Sequence, residues 1–151
     1  MDIEVNMGEL AVARGTDQLI ASAIGSCLVI TCYDPTRKLG AMAHTMLPSS
    51  TSHGRGQDGR DTKCVDAAIE EMLTRLQALG ARPEDLEAKV IGAANMFRTL
   101  DSSLGQAMLE SARTTLAQHR IPLLGESVGG SIGRSVEFSI ASGIVTVKSK
   151  F

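Results

Sequence analysis

A nearly unbroken run of apolar and small residues, QLIASAIGSCLVITCY at positions 18–33, most constrains the fold of this chain. Such runs are typical of strands that are buried on both faces. Asp34 and Pro35 follow, at the first two positions that a type I turn prefers, and KLGAMAHTML (38–47) then returns as a second strand. The stretch therefore predicts a buried antiparallel hairpin with a four-residue loop at 34–37.

The predicted hairpin brings two reactive side chains together. With the loop at 34–37, Cys27 lies directly opposite His44, and directly opposed residues have Cβ atoms about 4.5–5.5 Å apart. An imidazole nitrogen would then reach the sulfur, and an imidazolium there would favour the thiolate, the nucleophilic form. The backbone N–H groups of Ser26 and Cys27 would be placed to hold an oxyanion.

A structural interpretation of the same residues stays open. A lone cysteine in an apolar strand is more often a small core residue than a nucleophile, and His44 would then be a hydrogen-bonded polar group of the facing strand. Cys32 lies five residues beyond Cys27 and faces the other way in a regular strand. We interpret Cys32 as a core residue, and Cys64, near the start of the first helix, as structural.

The rest of the chain predicts two long helices and about seven strands. The segment KCVDAAIEEMLTRLQALG (63–80) has a helical apolar stripe, with Asp61 or Thr62 as cap and Gly80 as stop. A second helix follows Ser102 or Ser103 and contains LGQAMLESARTTLAQH. The apolar members of the first stripe are Val65, Ile69, Met72, Leu73, Leu76 and Leu79. We expect a single α+β domain over 1–151, a layered sandwich of mixed and antiparallel strands with two long helices.

Composition excludes several classes of protein. The net charge of −2 and the pI near 5.9 argue against a nucleic-acid surface. No apolar run approaches the roughly 18 residues of a membrane span, and the N-terminus lacks the pattern of a signal peptide. Three cysteines without a CxxC motif predict reduced thiols rather than disulfides or a zinc site. We therefore expect a cytoplasmic protein without a metal or cofactor, and interpret 48–62, which contains His53, as a polar surface loop.

Three segments resemble the CheD family, the chemoreceptor glutamine deamidases of bacterial chemotaxis: GSCLVITCYDPTRKLGAMAHTMLP, KVIGAANMF and ESVGGSIGRSVEFSIASGIVTV. The resemblance implies a cysteine hydrolase in which Cys27 is the nucleophile and His44 the base. Its substrates would be the side-chain amides of selected glutamines in the helical cytoplasmic part of chemoreceptors, and for some members also glutamyl methyl esters. The implied fold is related to the cytotoxic necrotizing factor deamidases.

The resemblance also implies contacts around the site. Members of the family bind CheC, a response-regulator phosphatase, and the loop GGSIGR would lie near the active site, where Gly129, Gly130 and Arg134 would contact substrate or partner. The family uses a hydroxyl residue, usually threonine, shortly before GSC to orient the histidine. This chain has Ala21 there, and Ser22 is the nearest hydroxyl. Residues 21 and 22 face opposite ways in a regular strand, so either the local backbone shifts and Ser22 takes the orienting role, or another group orients His44.

Because of that departure, a second function stays open. The chain could be a non-catalytic adaptor that binds a CheC-type phosphatase or the receptor and modulates it. The sequence decides neither which receptor glutamines are modified nor the oligomeric state.

Overall fold

The computed structural model describes residues 1–50, 61–95 and 103–150. They form three layers: a pair of helices, a five-stranded sheet and a four-stranded sheet. A short 3₁₀ turn at Pro83–Asp85 precedes the sixth strand. In chain order the strands and helices are β1 (Asp2–Glu4), β2 (Leu10–Arg14), β3 (Gln18–Ile24), β4 (Leu28–Asp34), β5 (Leu39–Thr45), α1 (Val65–Ala78), β6 (Glu87–Gly92), α2 (Ser103–Gln118), β7 (Leu123–Val128), β8 (Gly133–Ser139) and β9 (Val145–Lys150).

The five-stranded sheet is the central layer. Its order is β2-β5-β4-β6-β7, and all neighbours are antiparallel except β6 and β7, which α2 connects in parallel. Every residue of β4 and β5 is buried, because helices cover one face of these strands and the second sheet covers the other. This double burial explains the unbroken apolar run in the sequence.

The four-stranded sheet has the order β1-β3-β8-β9 and packs on the face opposite the helices. β8 and β9 are paired antiparallel and close the chain as a hairpin. Tyr33 of the central sheet meets Phe138 of this one edge to face, with ring centroids 5.6 Å apart. The Tyr33 hydroxyl also donates a hydrogen bond of 2.7 Å to the carbonyl of Ile140. The two sheets are therefore held by apolar packing and by a buried polar contact.

The hairpin of β4 and β5 is shifted by one residue from the sequence prediction. Asp34 pairs with Leu39, so the four loop residues are 35–38 and the predicted loop at 34–37 is wrong. The length of the loop was predicted correctly, but its position was not.

The side chain of Asp34 explains the shift. Its Oδ1 accepts hydrogen bonds from the backbone N–H groups of Thr36 at 3.0 Å and Arg37 at 3.1 Å. Asp34 therefore caps the turn through its side chain while its backbone remains in the strand. Lys38 then takes the last loop position, with a positive φ of 54°.

Helix α1 confirms most of the predicted stripe. Gly80 has a φ of 103°, as a helix stop requires, but Leu79 is exposed. The predicted capping by Asp61 or Thr62 is wrong: Cys64 occupies the cap position without a side-chain bond, while the Thr62 hydroxyl donates to the carbonyl of Gly8. The stripe residues that are buried are Val65, Ile69, Met72, Leu73 and Leu76.

The architecture confirms the predicted α+β class with two long helices. The described ranges contain nine strands rather than about seven. Residues 2–14 alone form two of them, β1 and β2, which belong to different sheets. The interpretations of His53 and of Ser102 fall on residues outside the described ranges. Within those ranges no helix combines the length and apolar character needed to cross a membrane.

Candidate active site

Cys27 lies in the bend that leads into β4, and the residues that follow β6 hold its backbone through hydrogen bonds. Its carbonyl accepts a hydrogen bond of 2.7 Å from the N–H of Ala93, and the carbonyl of Gly25 accepts one of 3.0 Å from Ala94. The half-buried Cys27 side chain packs against the apolar cluster between the sheets. The position of the sulfur is therefore set by the end of β6 as well as by β4.

Gly92 permits this close approach. Its φ is 119°, and a Cβ built on it would overlap the carbonyl oxygen of Cys27. A side chain at position 92 would force the two backbones apart, so glycine is required for two independent reasons.

His44 is held by the segment between β1 and β2. Its Nδ1 lies 3.1 Å from the carbonyl oxygen of Val5, its carbonyl accepts from the N–H of Gly8 at 2.7 Å, and its N–H donates to the carbonyl of Glu9 at 3.0 Å. Because a carbonyl can only accept, Nδ1 must carry the proton. The neutral ring then presents Nε2 as a free lone pair.

Cys27 and His44 share one face of the sheet as diagonal neighbours. The residue directly opposite His44 is Val29, which belongs to the cluster between the sheets, and Cys27 precedes Val29 by two residues. The predicted directly opposed pair is therefore wrong by two residues. Diagonal neighbours have Cα atoms about 7–8 Å apart and Cβ atoms somewhat closer, within reach of a long side chain.

The two side chains do not touch through a hydrogen bond. Among the described residues the buried Nε2 of His44 has no hydrogen-bond partner, Cys27 Sγ included. His44 itself is only 3% exposed. Catalytic hydrogen bonds are often long in proteins without substrate and close in the complex. The arrangement therefore provides a base with an open acceptor and a thiol on the same face.

The thiol of Cys27 is protonated at neutral pH. Burial raises its pKa above the ordinary value, which differs from the predicted stabilisation of a resting thiolate by an imidazolium. Burial also raises the pKa of Cys32 to about 12, and burial with nearby acidic groups raises that of Cys64 to about 11. Cys27 is partly exposed whereas the other two are buried, as predicted for Cys32 and Cys64.

The backbone N–H groups of Ser26 and Cys27 are available beside the sulfur. Neither donates a hydrogen bond within the part of the chain that the structure describes. They are therefore free to bind an oxygen that develops negative charge.

Arg134 lies near the site but is engaged by the main chain. Its Nη2 donates to the carbonyl of Gly129 at 3.0 Å, and its Nη1 approaches the carbonyl of Gly92 at 3.4 Å. The N–H of Gly129 also donates to Gly92 at 2.9 Å. Arg134 thus holds the loop GGSIGR against the end of β6. The residue that follows β6, Ala93, is the one that contacts the Cys27 carbonyl.

Gly129 and Gly130 border a cavity of about 260 Å³. The cavity lies between this loop, the first turns of α2 and the residues that follow β6, and the N–H of Asn95 donates to Gly130 at 2.8 Å. Its apolar walls belong to the helical side of the central sheet. The lining residues are Ala93, Asn95, Gly105, Gln106, Leu109, Val128, Gly129 and Gly130.

Ser22 is not brought to His44. Ser22 is exposed, and its hydroxyl donates to Glu4 Oε1 at 3.2 Å. Ala21 is fully buried and pairs with Val136, and β3 is irregular between Ala21 and Ile24. The backbone does shift before GSC, but the group that contacts Nδ1 is the carbonyl of Val5. Sequence reasoning missed this group because every residue has a carbonyl, so no side-chain pattern marks it.

Comparisons with known proteins give consistent results. The family model described as CheD chemotactic sensory transduction matches residues 46–149. The chemoreceptor glutamine deamidase CheD of Thermotoga maritima is 35% identical over 144 residues, 95% of this chain and 89% of the relative. That of Halalkalibacterium halodurans is 36% identical, over 91% of this chain and 86% of the relative. A probable chemoreceptor glutamine deamidase CheD of Symbiobacterium thermophilum is 38% identical, over 96% of this chain and 90% of the relative.

Cys27 and His44 precede residues 46–149, the range that the family model matches. The alignments with the Thermotoga and Symbiobacterium relatives cover 95% and 96% of this chain, so they include both residues. Among solved structures, the hypothetical protein YfiH of Bacillus licheniformis aligns with a TM-score of 0.47 and 17% identity, over 74% of this chain and 46% of that one.

Proposed function

This chain belongs to the CheD family, and from that premise we propose that it is a chemoreceptor glutamine deamidase of bacterial chemotaxis. It hydrolyses the side-chain amide of selected receptor glutamines to glutamate, and glutamyl methyl esters would pass through the same acyl intermediate. The observation that carries the proposal is the partly exposed Cys27 thiol on the same sheet face as His44, whose Nε2 is free to accept a proton.

In the first step Cys27 attacks the carbonyl carbon of the glutamine side chain. Because its raised pKa keeps the thiol protonated, the proton must leave as the carbon–sulfur bond forms, and His44 Nε2 accepts it. This step requires Sγ and Nε2 to approach each other, and the diagonal placement of the two residues on one sheet face supports that approach. The N–H groups of Ser26 and Cys27 bind the tetrahedral oxyanion.

In the second step the tetrahedral intermediate collapses to a thioester. His44 returns its proton to the leaving nitrogen, which departs as ammonia. Water then attacks the thioester carbonyl with His44 again as base, the carbon–sulfur bond breaks, and the thiol is restored with glutamate as the product. His44 accepts a proton twice, from the thiol and then from water, and returns it twice, to the leaving nitrogen and then to the leaving sulfur. All four proton transfers thus use the same ring nitrogen.

The partners follow from the substrate and the family. The substrate glutamines lie in the helical cytoplasmic part of chemoreceptors, so we place the protein in the cytoplasm. We propose a CheC-type phosphatase as a second partner, with Gly129, Gly130 and Arg134 near the contact; the position of their loop beside the end of β6 supports this. The relation to the cytotoxic necrotizing factor deamidases is supported by a cysteine and a histidine on one sheet face of an α+β fold.

Mass spectrometry of receptor cytoplasmic fragments tests the proposed activity. The wild-type protein should convert specific glutamines to glutamates and release ammonia, and Cys27→Ala should abolish both. Cys32→Ala is the matched control, because Cys32 lies in β4, the strand that Cys27 precedes, but packs on the helical side. It should keep the activity and lose only part of the stability.

The adaptor alternative makes the opposite prediction. If wild type and Cys27→Ala leave the same glutamines unmodified on a cognate receptor, and both still bind receptor or phosphatase, then the deamidase proposal is wrong.

A further inference from the structure

We propose that the main-chain carbonyl of Val5 is the positioning group that fixes the ring of His44 for catalysis, in place of a side-chain hydroxyl. The inference rests on the proposed function, since it assigns how the base of that reaction is oriented. Val5 itself touches neither substrate nor the reacting sulfur. It acts through His44.

Val5 is held rigidly enough to perform this role. It is 1% exposed, and its N–H donates to the carbonyl of Ile20 in β3 at 2.7 Å. Its carbonyl faces His44 Nδ1 in β5 at 3.1 Å. Val5 thus lies where the chain passes from one sheet to the other, and its two polar groups are bonded to one strand of each.

The following turn fixes the backbone of His44. Asn6 and Glu9 close this turn through two hydrogen bonds, from the Asn6 N–H to Glu9 Oε1 at 3.0 Å and from the Glu9 N–H to the Asn6 carbonyl at 2.9 Å. Gly8 and Glu9 then bond both main-chain groups of His44. Segment 5–9 therefore holds the strand position and the ring orientation of the base together.

The acceptor decides which ring nitrogen is the base. A main-chain carbonyl has no proton to give, so it selects the form with hydrogen on Nδ1. A serine or threonine hydroxyl could either donate or accept, and it would select a tautomer less strictly. The orphaned, buried Nε2 is the atom that this selection leaves as a base.

The neighbouring hydroxyl does not compete for this role. Ser22 is exposed and bonded to Glu4, and the buried neighbour at position 21 is an alanine. We therefore expect Ser22→Ala to keep the His44 tautomer and to change kcat less than about twofold, the effect of an exposed polar substitution.

Nitrogen NMR of the histidine ring gives the direct test. In protein labelled with ¹⁵N-histidine, with His44 assigned by substitution of His53 and His119, the neutral ring should carry its proton on Nδ1. A proton on Nε2 would overturn the proposal. Because this readout needs no substrate, it decides the assignment of Val5 even if the receptor assay fails.

A backbone substitution tests the carbonyl itself. Replacing Asn6 by its α-hydroxy acid analogue turns the Val5 carbonyl into an ester carbonyl, a weaker acceptor. We expect kcat to fall about fivefold to tenfold, the equivalent of roughly one neutral hydrogen bond, and the His44 ring to show a mixture of tautomers.

Glu9→Ala is the matched control for this change. The ester also removes the Asn6 N–H, which donates to Glu9 Oε1, and Glu9→Ala removes that bond while leaving the Val5 carbonyl intact. If the ester and Glu9→Ala give equal kcat values and the same single tautomer, or if Ser22→Ala shifts the tautomer, Val5 is not the positioning group. A purely structural role of Val5 would lower stability in urea without altering the tautomer.

Discussion

At the scale of single residues, Cys27 differs from the other two cysteines in access and in how far burial raises the thiol pKa. Cys27 is partly exposed, whereas Cys32 and Cys64 are fully buried with thiol pKa values raised to about 12 and about 11. The thiolate is the reactive form in alkylation, so both properties direct a small electrophile to Cys27.

We expect iodoacetamide to label Cys27 first in the folded protein. The pKa of this thiol is raised above 9.0, so the thiolate fraction is small at neutral pH and increases as pH rises. The labelling rate should therefore keep rising beyond pH 9. Peptide mass spectrometry measures the rate; a plateau below that pH, or equal labelling of Cys32, would contradict this expectation.

At Gly92, the addition of a single Cβ atom would disturb the backbone of Cys27. We expect Gly92→Ala to abolish the deamidase activity and to destabilise the fold, because the new Cβ would both overlap the Cys27 carbonyl and require a positive φ. Gly15→Ala is the control: its φ is also positive at 68°, but no atom lies within 4 Å of the new Cβ. It should cost only the conformational strain, about 1–2 kcal/mol.

Activity assays and urea unfolding of both glycine variants separate the two effects. If Gly92→Ala kept full activity, the close approach of β6 to Cys27 would not be needed for the function.

At the scale of elements, the β4–β5 hairpin shows what the sequence could and could not predict. Its strands, their burial and the loop length follow from the apolar run and from Asp34-Pro35. Its register does not, because Asp34 can either enter the loop or cap it from the strand, and only the hydrogen bonds from Thr36 and Arg37 decide. That one-residue shift moved Cys27 from directly opposite His44 to the diagonal.

The incorrect predictions for Thr62 and Ser22 also arise from hydrogen bonds that the sequence does not reveal. Thr62 was predicted to cap α1, but its hydroxyl bonds the carbonyl of Gly8, which is distant in sequence. Ser22 was the nearest hydroxyl to GSC, but β3 turns it towards Glu4. Residue type identified Cys27 and His44 correctly as neighbours on one face, whereas contacts made by main-chain atoms, such as that of Val5, leave no trace in residue type.

We expect Asp34→Ala to loosen the hairpin. Asp34 is fully buried and accepts two backbone hydrogen bonds as well as one from Arg37 Nη1 at 3.0 Å. Loss of these hydrogen bonds to a buried carboxylate should lower the free energy of unfolding by about 1–3 kcal/mol. Thr36→Ala is the control, because the backbone N–H of Thr36 makes the contact and survives the substitution.

Urea unfolding measures both hairpin variants. Equal stability of Asp34→Ala and Thr36→Ala would show that the Asp34 side chain does not fix the turn.

At the scale of the whole molecule, one buried hydroxyl adds a polar contact to the apolar packing between the two sheets. Tyr33→Phe removes the 2.7 Å bond to the carbonyl of Ile140 but keeps the ring packed on Phe138. We expect the free energy of unfolding to fall by about 1–3 kcal/mol, with an unchanged dependence on urea concentration. A stability equal to wild type would mean that this hydrogen bond does not help to join the sheets.

The placement of Cys27 and Cys32 on opposite faces of the central sheet affects how the protein withstands oxidants. The central sheet separates the two sulfurs, so Cys32 cannot resolve an oxidised Cys27 by forming an internal disulfide. A sulfenic acid on Cys27 can be rescued by an external thiol such as glutathione, and without rescue it proceeds to the irreversible sulfinic form. The enzyme's lifetime under peroxide is therefore set by the thiol supply of its surroundings.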